Sequence, residues 1–385
     1  MKKWVIGIGA MLVLGGIPLQ TYAMESTLEE SFEEEIPEES MEEYLGELDF
    51  TEVDGLLKEK GIETGFKDLV KKLIAGEEID KGELVQNVVD MIFQEVWAFR
   101  TELLQVVLLC IVFSILYNFT NIFENPAVTE ISFYMVYMLL LVLLLKSFFI
   151  LKEVVLVVLG DVLVFLKLLI PTFSLSMIFS GQITAGSVFY EITFLVIYGM
   201  EGLMNVLIVP AIQIYVVIEM MNYLTEEEML SRLTELIRDG IQWLMKLLFT
   251  MVVGINVVQN LLAPVIDSFK STLISRTAGM IPGLGTSINA VTEIMVGTGI
   301  IIKNGVGVAA IIVLLILCAG PIIKVWVMTF LYRMVAAVMQ PVADKRILGC
   351  IGGVGEGGRL LGKVMVTTVV MFLVTIAMVT AATTF

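Results

Sequence analysis

The sequence has no histidine, only three cysteines and few charged residues outside its first hundred positions. The absence of histidine excludes a Ser/His or Cys/His catalytic pair and removes the commonest protein ligand of metal ions. The cysteines (Cys110, Cys318 and Cys350) are odd in number and far apart, so they predict neither a disulfide framework nor a zinc site. We therefore expect a protein that is not an enzyme and that binds no cofactor or metal ion.

Apolar residues, in contrast, are abundant. Of the 385 residues, 57% are hydrophobic and 17% are charged, whereas soluble domains have roughly 45–50% apolar and about 25% charged residues. Several apolar runs reach the length of about 20 residues that a helix needs to cross a bilayer. The fold class that we predict is all-α: a polytopic helical membrane protein with Pro/Gly-broken helices, an internal repeat and a small helical extracytoplasmic N-terminal region.

The formal net charge of −16 comes from one segment of the chain. Residues 24–100 contain 23 Asp and Glu against 7 Lys and Arg, and the rest of the chain is neutral. A nucleic-acid surface would be basic, so this balance argues against nucleic acid as a partner.

The first hundred residues divide into three segments. Residues 1–23 resemble a secretory signal peptide, with two lysines, an apolar run and small residues before Met24; an uncleaved anchor helix is the alternative. Residues 24–57 carry 14 acidic residues and no Lys or Arg, which predicts a disordered segment, or else an acidic docking tail. Residues 58–101 place apolar side chains at helical spacing, which predicts amphipathic helices outside the cytoplasm.

Residues 102–385 form the predicted polytopic membrane domain. The apolar runs predict helices over 103–120, 131–151, 154–180, 188–222, 241–264, 306–339 and 360–382. Residues 225–239 are polar and amphipathic, so we expect them to form a helix along the bilayer surface. Four Lys and Arg residues lie in and beside the connector 340–359, and the positive-inside rule therefore places it in the cytoplasm.

The segment from Arg276 to Gly307 combines apolar residues with seven glycines and a proline. Interrupted backbone at membrane depth survives only where protein or a polar cavity covers it, and transporters often build their working parts from such segments. We expect the glycines to permit close packing: Gly279, Gly283, Gly285, Gly297, Gly299, Gly305 and Gly307. We expect helices to break or bend at Pro171, Pro210, Pro282 and Pro321.

The order of these prolines suggests an internal duplication. Pro210 follows Pro171 by 39 positions, and Pro321 follows Pro282 by the same interval. The repeats that this spacing predicts cover 161–265 and 272–384. Chance is the alternative, because proline and glycine are common in membrane helices. In a repeat-built transporter the working site lies at the interface of the copies.

Several charged residues lie within or beside the apolar runs. An ionisable side chain inside a membrane is costly and usually faces a cavity or a partner. The candidates for a polar path or a proton-linked site are Asp161, Lys167, Glu191, Glu201, Lys303 and Lys324. The alternative is structural pairing inside the bundle, or lysines that extend to the membrane surface from helix ends.

Two phosphate-binding patterns near the C-terminus are incomplete. Gly357 to Lys363 reads G-x-x-x-x-G-K, but Val364 stands where a hydroxyl would hold magnesium. Three glycines between 353 and 358 fit G-x-G-x-x-G, but no βαβ unit surrounds them. We predict that these glycines allow helices to approach closely.

Several motifs resemble those of the stage III sporulation protein AE family. They are Arg276-Thr-Ala-Gly through Pro282-Gly-Leu-Gly, Lys303-Asn-Gly-Val-Gly, Pro321-Ile-Ile-Lys324, and the stretch from Ala336 to Gln340-Pro341. The resemblance covers most of residues 100–385. It implies a multi-pass protein of the mother-cell membrane that surrounds the forespore, with its N-terminal segment outside the cytoplasm, which acts during endospore formation.

The resemblance also implies a set of partners. Proteins of this family belong to an eight-protein mother-cell assembly that includes an ATPase, protein AA, and joins the forespore stage II sporulation protein Q. Together they resemble a secretion or feeding channel that supports late forespore gene expression, in which this chain would line or gate the path or act as a scaffold, and could form a homo-oligomer. The alternative is an autonomous proton-coupled secondary transporter that uses Asp161, Glu191 or Glu201.

Overall fold

The structure, a computed structural model, describes residues 44–62, 64–75, 126–224, 229–278, 285–341 and 343–381, with scattered positions from 93 to 115. All regular secondary structure in these ranges is helical, which confirms the all-α prediction. The predicted signal peptide (1–23) and most of the acidic segment lie outside the described residues. The repeat stays a prediction, because Pro282, near the start of its second copy, is also outside them.

Two nine-residue helices lie in the described ranges 44–62 and 64–75: α1 (Thr51–Glu59) and α2 (Phe66–Ile74). The Thr51 hydroxyl and N–H donate to Asp49 at the start of α1, which lowers the pKa of that carboxyl. The Phe66 N–H donates to Asp54 Oδ1 over 2.5 Å at the start of α2. The described helical residues 44–47 and most of α1 lie within the range 24–57, for which we predicted a disordered segment or an acidic docking tail.

Long helices make up the rest of the described chain. They are α3 (Pro126–Phe179), α4 (Ile183–Leu203), α5 (Val209–Asn222), α6 (Ser231–Ala278), α7 (Gly285–Met339) and α8 (Lys345–Ala381). A π-helical turn, Met204–Ile208, joins α4 to α5.

Within the described residues, five helices are long and apolar enough to cross a membrane. They are Phe133–Phe179, Ile183–Asn222, Ser231–Ser268, Met295–Met339 and Lys345–Ala381. A polytopic helical membrane protein is therefore confirmed. The predicted helices 131–151 and 154–180 are parts of one helix, α3. The predicted surface helix 225–239 is, from Ser231 onward, the first part of α6. In neither place does a turn signal end the helix.

The backbone of the Gly-rich segment is helical wherever the structure describes it. Residues 285–307 lie inside α7, so the expectation of an interrupted backbone is wrong over this range. A glycine costs a helix only about 1 kcal/mol relative to alanine, whereas an unsatisfied backbone group in lipid costs several kcal/mol. Hydrogen bonding of the backbone therefore outweighs the flexibility of glycine.

The prolines behave in different ways. Pro171 lies inside α3 and Pro321 inside α7, so neither ends its helix, and bending there stays a prediction. Pro210 is the second residue of α5, directly after the π-helical turn. A missing N–H is tolerated at this position, because the first turn of a helix leaves its N–H groups without intrahelical partners.

The bundle is built around α3, α7 and α8. The helices α7 and α8 pack along each other, and α3 packs against α4, α7 and α8. The helix α6 covers α4, α5 and α8 from outside, while α1 lies on α3 and α2 on α7. The end of α3 lies beside Gly299 of α7, and a short turn at 180–182 connects it to the start of α4.

Candidate functional site

Two of the predicted charged residues, Asp161 and Lys167 of α3, bind different neighbours. Lys60 Nζ, just after α1, lies 2.6 Å from Asp161 Oδ2. Lys167 Nζ lies 2.7 Å from Glu201 Oε2 of α4. The side chains of Asp161 and Lys167 keep 25% and 27% of their surface exposed. Asp161 and Lys167 therefore each have a partner on another element, and each keeps part of its surface exposed.

Lys167 also lies against an aromatic row on α4. Its Nζ is 4.9 Å from the centre of the Tyr198 ring, within the range of a cation–π interaction. Phe194 lies between Tyr190 and Tyr198, with ring centres 4.9 and 6.1 Å from theirs. The ammonium group is therefore held by a carboxylate and a ring on the same helix.

Lys303 is buried without any exposed surface. Its Nζ donates to the carbonyl oxygen of Val379 over 3.3 Å. Val379 belongs to the last turn of α8, where carbonyl groups lack intrahelical partners and the helix dipole is negative. In the part of the chain that the structure describes, no carboxylate forms an ion pair with Lys303, so the end of α8 provides its electrostatic partner.

The other two predicted charged residues lie elsewhere. Glu191 is exposed on α4, and Lys324 is half-buried on α7. The six candidates therefore do not form one constellation: the structure brings Lys167 and Glu201 together and distributes the others along the bundle.

Glycines of α7 face three different neighbours. A Cβ atom at Gly305 would lie 2.8 Å from Ile74 Cγ1 of α2. One at Gly299 would overlap the backbone of Phe179, and one at Gly307 would overlap Thr380 of α8. This part of α7 is therefore enclosed on three sides by α2, the end of α3 and the end of α8. Gly297 is buried, Gly285 begins the helix, and Gly279 and Gly283 lie outside the described residues.

One face of α3 holds the N-terminal unit, which we define as residues 44–62 and 64–75. Besides the ion pair at Asp161, the ring of Phe165 lies 6.4 Å from that of Phe66. The Thr172 hydroxyl donates to the carbonyl oxygen of Asp49 over 3.0 Å, and the Phe179 ring lies 5.2 Å from that of Tyr44. The α3 residues in this series are spaced by four, seven and seven positions, so they share one helix face.

The opposite face of α3 holds α4. Lys167 lies two positions after Phe165, and Ser174 two positions after Thr172, which turns each side chain by about 200° around the helix. Ser174 Oγ donates to the carbonyl oxygen of Gly186 over 2.6 Å, and the Phe173 ring packs edge-on against Phe189. The helix α3 therefore separates the N-terminal unit from α4.

Asp267 of α6 is a residue that the sequence reasoning missed. Its two carboxylate oxygens accept the N–H groups of Thr184 and Ala185 over 2.9 and 3.0 Å. These are among the donors that the start of α4 leaves without intrahelical partners. The capping residue lies more than 80 positions from the helix that it caps, so no local pattern indicates it.

The glycines in the incomplete phosphate motifs lie inside α8, against neighbouring helices. A Cβ atom at Gly353 would lie 3.1 Å from Glu219 Cγ of α5, and one at Gly358 would lie 2.6 Å from Thr329 Oγ1 of α7. Beside them, Glu356 accepts hydrogen bonds from Arg359 and from Arg333, the latter over 2.9 Å. This stretch packs α8 against α5 and α7.

Comparison with known proteins agrees with the motifs in the Gly-rich segment. A family model described as Stage III sporulation protein AE matches residues 64–383. Stage III sporulation protein AE of Bacillus subtilis (strain 168) is 24% identical over 334 residues, which cover 86% of this chain and 82% of the relative. No solved structure matches the chain significantly. Because the family model spans well over half of the sequence, the protein belongs to the stage III sporulation protein AE family.

Proposed function

We propose that this protein is a non-enzymatic membrane component of a channel between mother cell and forespore during endospore formation. One observation carries the proposal: two charged side chains of the long apolar helix α3, Asp161 and Lys167, are partly exposed. A charge exposed to lipid is costly, so such surfaces normally face water or another protein. A channel component needs surfaces of this kind, and membership of a sporulation family supplies the biological setting.

The proposal extends to location and partners. The chain acts in the mother-cell membrane around the forespore, with its N-terminal unit outside the cytoplasm. Its partners are the other stage III sporulation A-operon proteins, including the AA ATPase, and the forespore stage II sporulation protein Q. The ATPase supplies the energy, and this chain lines or gates the path or holds the other subunits in place.

An autonomous proton-coupled transporter is less well supported. Two of its three candidate carboxylates, Asp161 and Glu201, bind lysines. A proton site needs a carboxylate that can change its charge during the cycle, and a bound ammonium group opposes this change. Replacing Glu191 by Gln separates the alternatives, because a transporter that relies on this carboxylate should lose its activity.

Two measurements test the proposed function. The first counts heat-resistant spores in a host that lacks its own copy of the gene and carries this chain, or Glu201→Gln, instead. The second reconstitutes the full chain in vesicles and follows the release of a small dye. We expect the chain to restore sporulation and Glu201→Gln to lower the spore count by about tenfold, an effect of roughly 1.4 kcal/mol if it reflects one equilibrium.

The two readouts also distinguish the roles named in the proposal, which are lining the path, gating it and acting as a scaffold. Dye release by the chain alone indicates that it lines the path. Tight vesicles together with restored sporulation indicate a scaffold or a gate that opens only in the assembly. Failure to restore sporulation, at normal protein levels in the membrane, contradicts the proposed function.

A further inference from the structure

The N-terminal unit presents a charged surface on its outer side. Phe66 and Val70 of α2 have no exposed surface, so they fix the inner side to the bundle. The outer side carries exposed charges on both helices: Glu52, Lys58, Glu59, Asp68, Lys71 and Lys72. A shallow open cleft on this side is lined by Thr64, Asp68, Lys71 and Lys72. This surface has the composition of one that faces water.

The outer side of α6 has the opposite character. From 247 to 266 the sequence holds no charged residue. Large exposed apolar side chains follow one another along this stretch: Leu247, Met251, Val258, Leu261, Leu262, Val265 and Ile266. Twenty helical residues span about 30 Å, which equals the thickness of the hydrocarbon core of a bilayer. This surface has the length and composition of one that faces lipid.

These two surfaces lie at the same depth. Thr172 of α3 contacts Asp49 of the N-terminal unit, and Ser174, two positions on, contacts Gly186 at the start of α4. Asp267, directly after the apolar stretch of α6, caps the same start of α4. From this depth the N-terminal unit continues along α3 to Asp161, about 16 Å away at 1.5 Å per residue. This distance is within the 30 Å of the apolar stretch.

A single copy in a bilayer cannot place the charged surface in water and the apolar surface in lipid at the same depth. With α6 in lipid, the lysines of the N-terminal unit would lie in hydrocarbon as well, where a charged side chain is costly. If instead this part of the bundle lay in water, about 30 Å of apolar surface on α6 would be exposed to it, and monomeric soluble proteins avoid such exposure. Separating the unit from the bundle would expose Phe66 and Val70 instead.

We propose that several copies of this chain form a closed ring in the membrane, with α6 facing lipid and the N-terminal units facing an aqueous lumen. Rotation about one axis turns every charged surface inward and every apolar surface outward, and closed cyclic symmetry is the usual form of homo-oligomers. The inference rests on the proposed channel function and adds where the path lies: between copies, along α1 and α2.

Cysteine chemistry on the full chain tests this arrangement. The three native cysteines are buried, so the parent chain gives a low background. Lys72→Cys places a thiol on the charged surface, and Leu261→Cys is the matched control on the apolar surface, where Leu261 is 66% exposed. Both variants are treated in membranes with a membrane-impermeant maleimide and, separately, with a short bis-maleimide.

We expect Lys72→Cys to react about tenfold faster than Leu261→Cys with the impermeant reagent, a difference of roughly 1.4 kcal/mol in activation free energy. We expect the bis-maleimide to join copies at Lys72→Cys and not at Leu261→Cys. We expect the native mass in nanodiscs to equal two or more copies of the chain, which weighs 42.6 kDa with residues 1–23 and less without them. A monomeric mass, equal reaction rates or cross-links at Leu261→Cys would overturn the ring. None of these readouts depends on sporulation or dye release, so failure of the proposed function is seen separately.

Discussion

Lys303 shows how a single charge is accommodated in this bundle. Its ammonium group has no exposed surface and binds the carbonyl end of α8 at Val379. Lys303→Met keeps the length of the side chain and removes the charge, so we expect the thermal stability of the purified protein to stay equal or rise. Lys303→Glu places a buried negative charge against carbonyl oxygens, and we expect a loss of about 3–5 kcal/mol.

Thermal unfolding of both variants in nanodiscs checks this prediction. If Lys303→Met is as unstable as Lys303→Glu, the hydrogen bond to Val379 contributes more stability than removal of the buried charge adds. If Lys303→Met is stable but does not support sporulation, the charge has a role beyond the fold.

Gly305 provides a second prediction for a single residue, with a matched control. A Cβ atom there would meet Ile74 of α2 at 2.8 Å, whereas one at Gly254 of α6 would meet no atom within 4 Å. We expect Gly305→Ala to destabilise the docking of the N-terminal unit by about 1–3 kcal/mol. Gly254→Ala should stabilise its helix by about 1 kcal/mol. Limited proteolysis should cut α2 faster in the first variant only, and equal cutting in both would contradict the close contact.

At the scale of whole elements, Asp267 connects α6 to the start of α4. Asp267→Asn keeps the shape of the side chain but loses the two equivalent acceptors that bind Thr184 and Ala185. We expect the start of α4 to lose about 0.5–2 kcal/mol, the usual contribution of a capping side chain. Hydrogen exchange of the first turn of α4 should become faster, while α8 keeps its protection. Asp239→Asn, on the exposed first part of α6, is the control and should leave both unchanged.

The same elements show what sequence reasoning could predict. Apolar length and helical spacing predicted the helical character of most of the described chain, because these features depend on neighbours within a few positions. The sequence did not indicate the partners of Asp161 and Asp267, because Lys60 and Thr184 lie about 80 to 100 positions away and only the packed bundle brings them together. Over residues 285–307 the expected interruption is not seen, because glycine propensity is weaker than the need to satisfy backbone groups in lipid, while a break at Pro282 stays a prediction.

At the scale of the whole molecule, the long helices exceed the bilayer. The 54 residues of α3 span about 80 Å, against a hydrocarbon core of about 30 Å. Exposed charges at Lys146 and Glu153 of α3, Lys246 of α6 and Arg333 of α7 interrupt the apolar outer surface. These charges indicate where the helices leave the hydrocarbon, so the half of the bundle that holds residues 340–359, which belong mostly to the start of α8, extends beyond it. The positive-inside rule predicts that this half is cytoplasmic.

The attachment of the N-terminal unit to this bundle can be tested by exchanging charges. Lys60 and Asp161 form an ion pair at 2.6 Å, each about a quarter exposed. Lys60→Glu places a second carboxylate beside that of Asp161, and the two negative charges repel each other. We therefore expect the N-terminal unit to become sensitive to protease and the spore count to fall. Adding Asp161→Lys restores an ion pair of reversed polarity, so both readouts should return towards those of the parent. The interaction energy from the full double-mutant cycle should lie between about 0.5 and 3 kcal/mol, the range for residues in contact. Additive effects of the two substitutions would show that the pair does not hold the unit on α3.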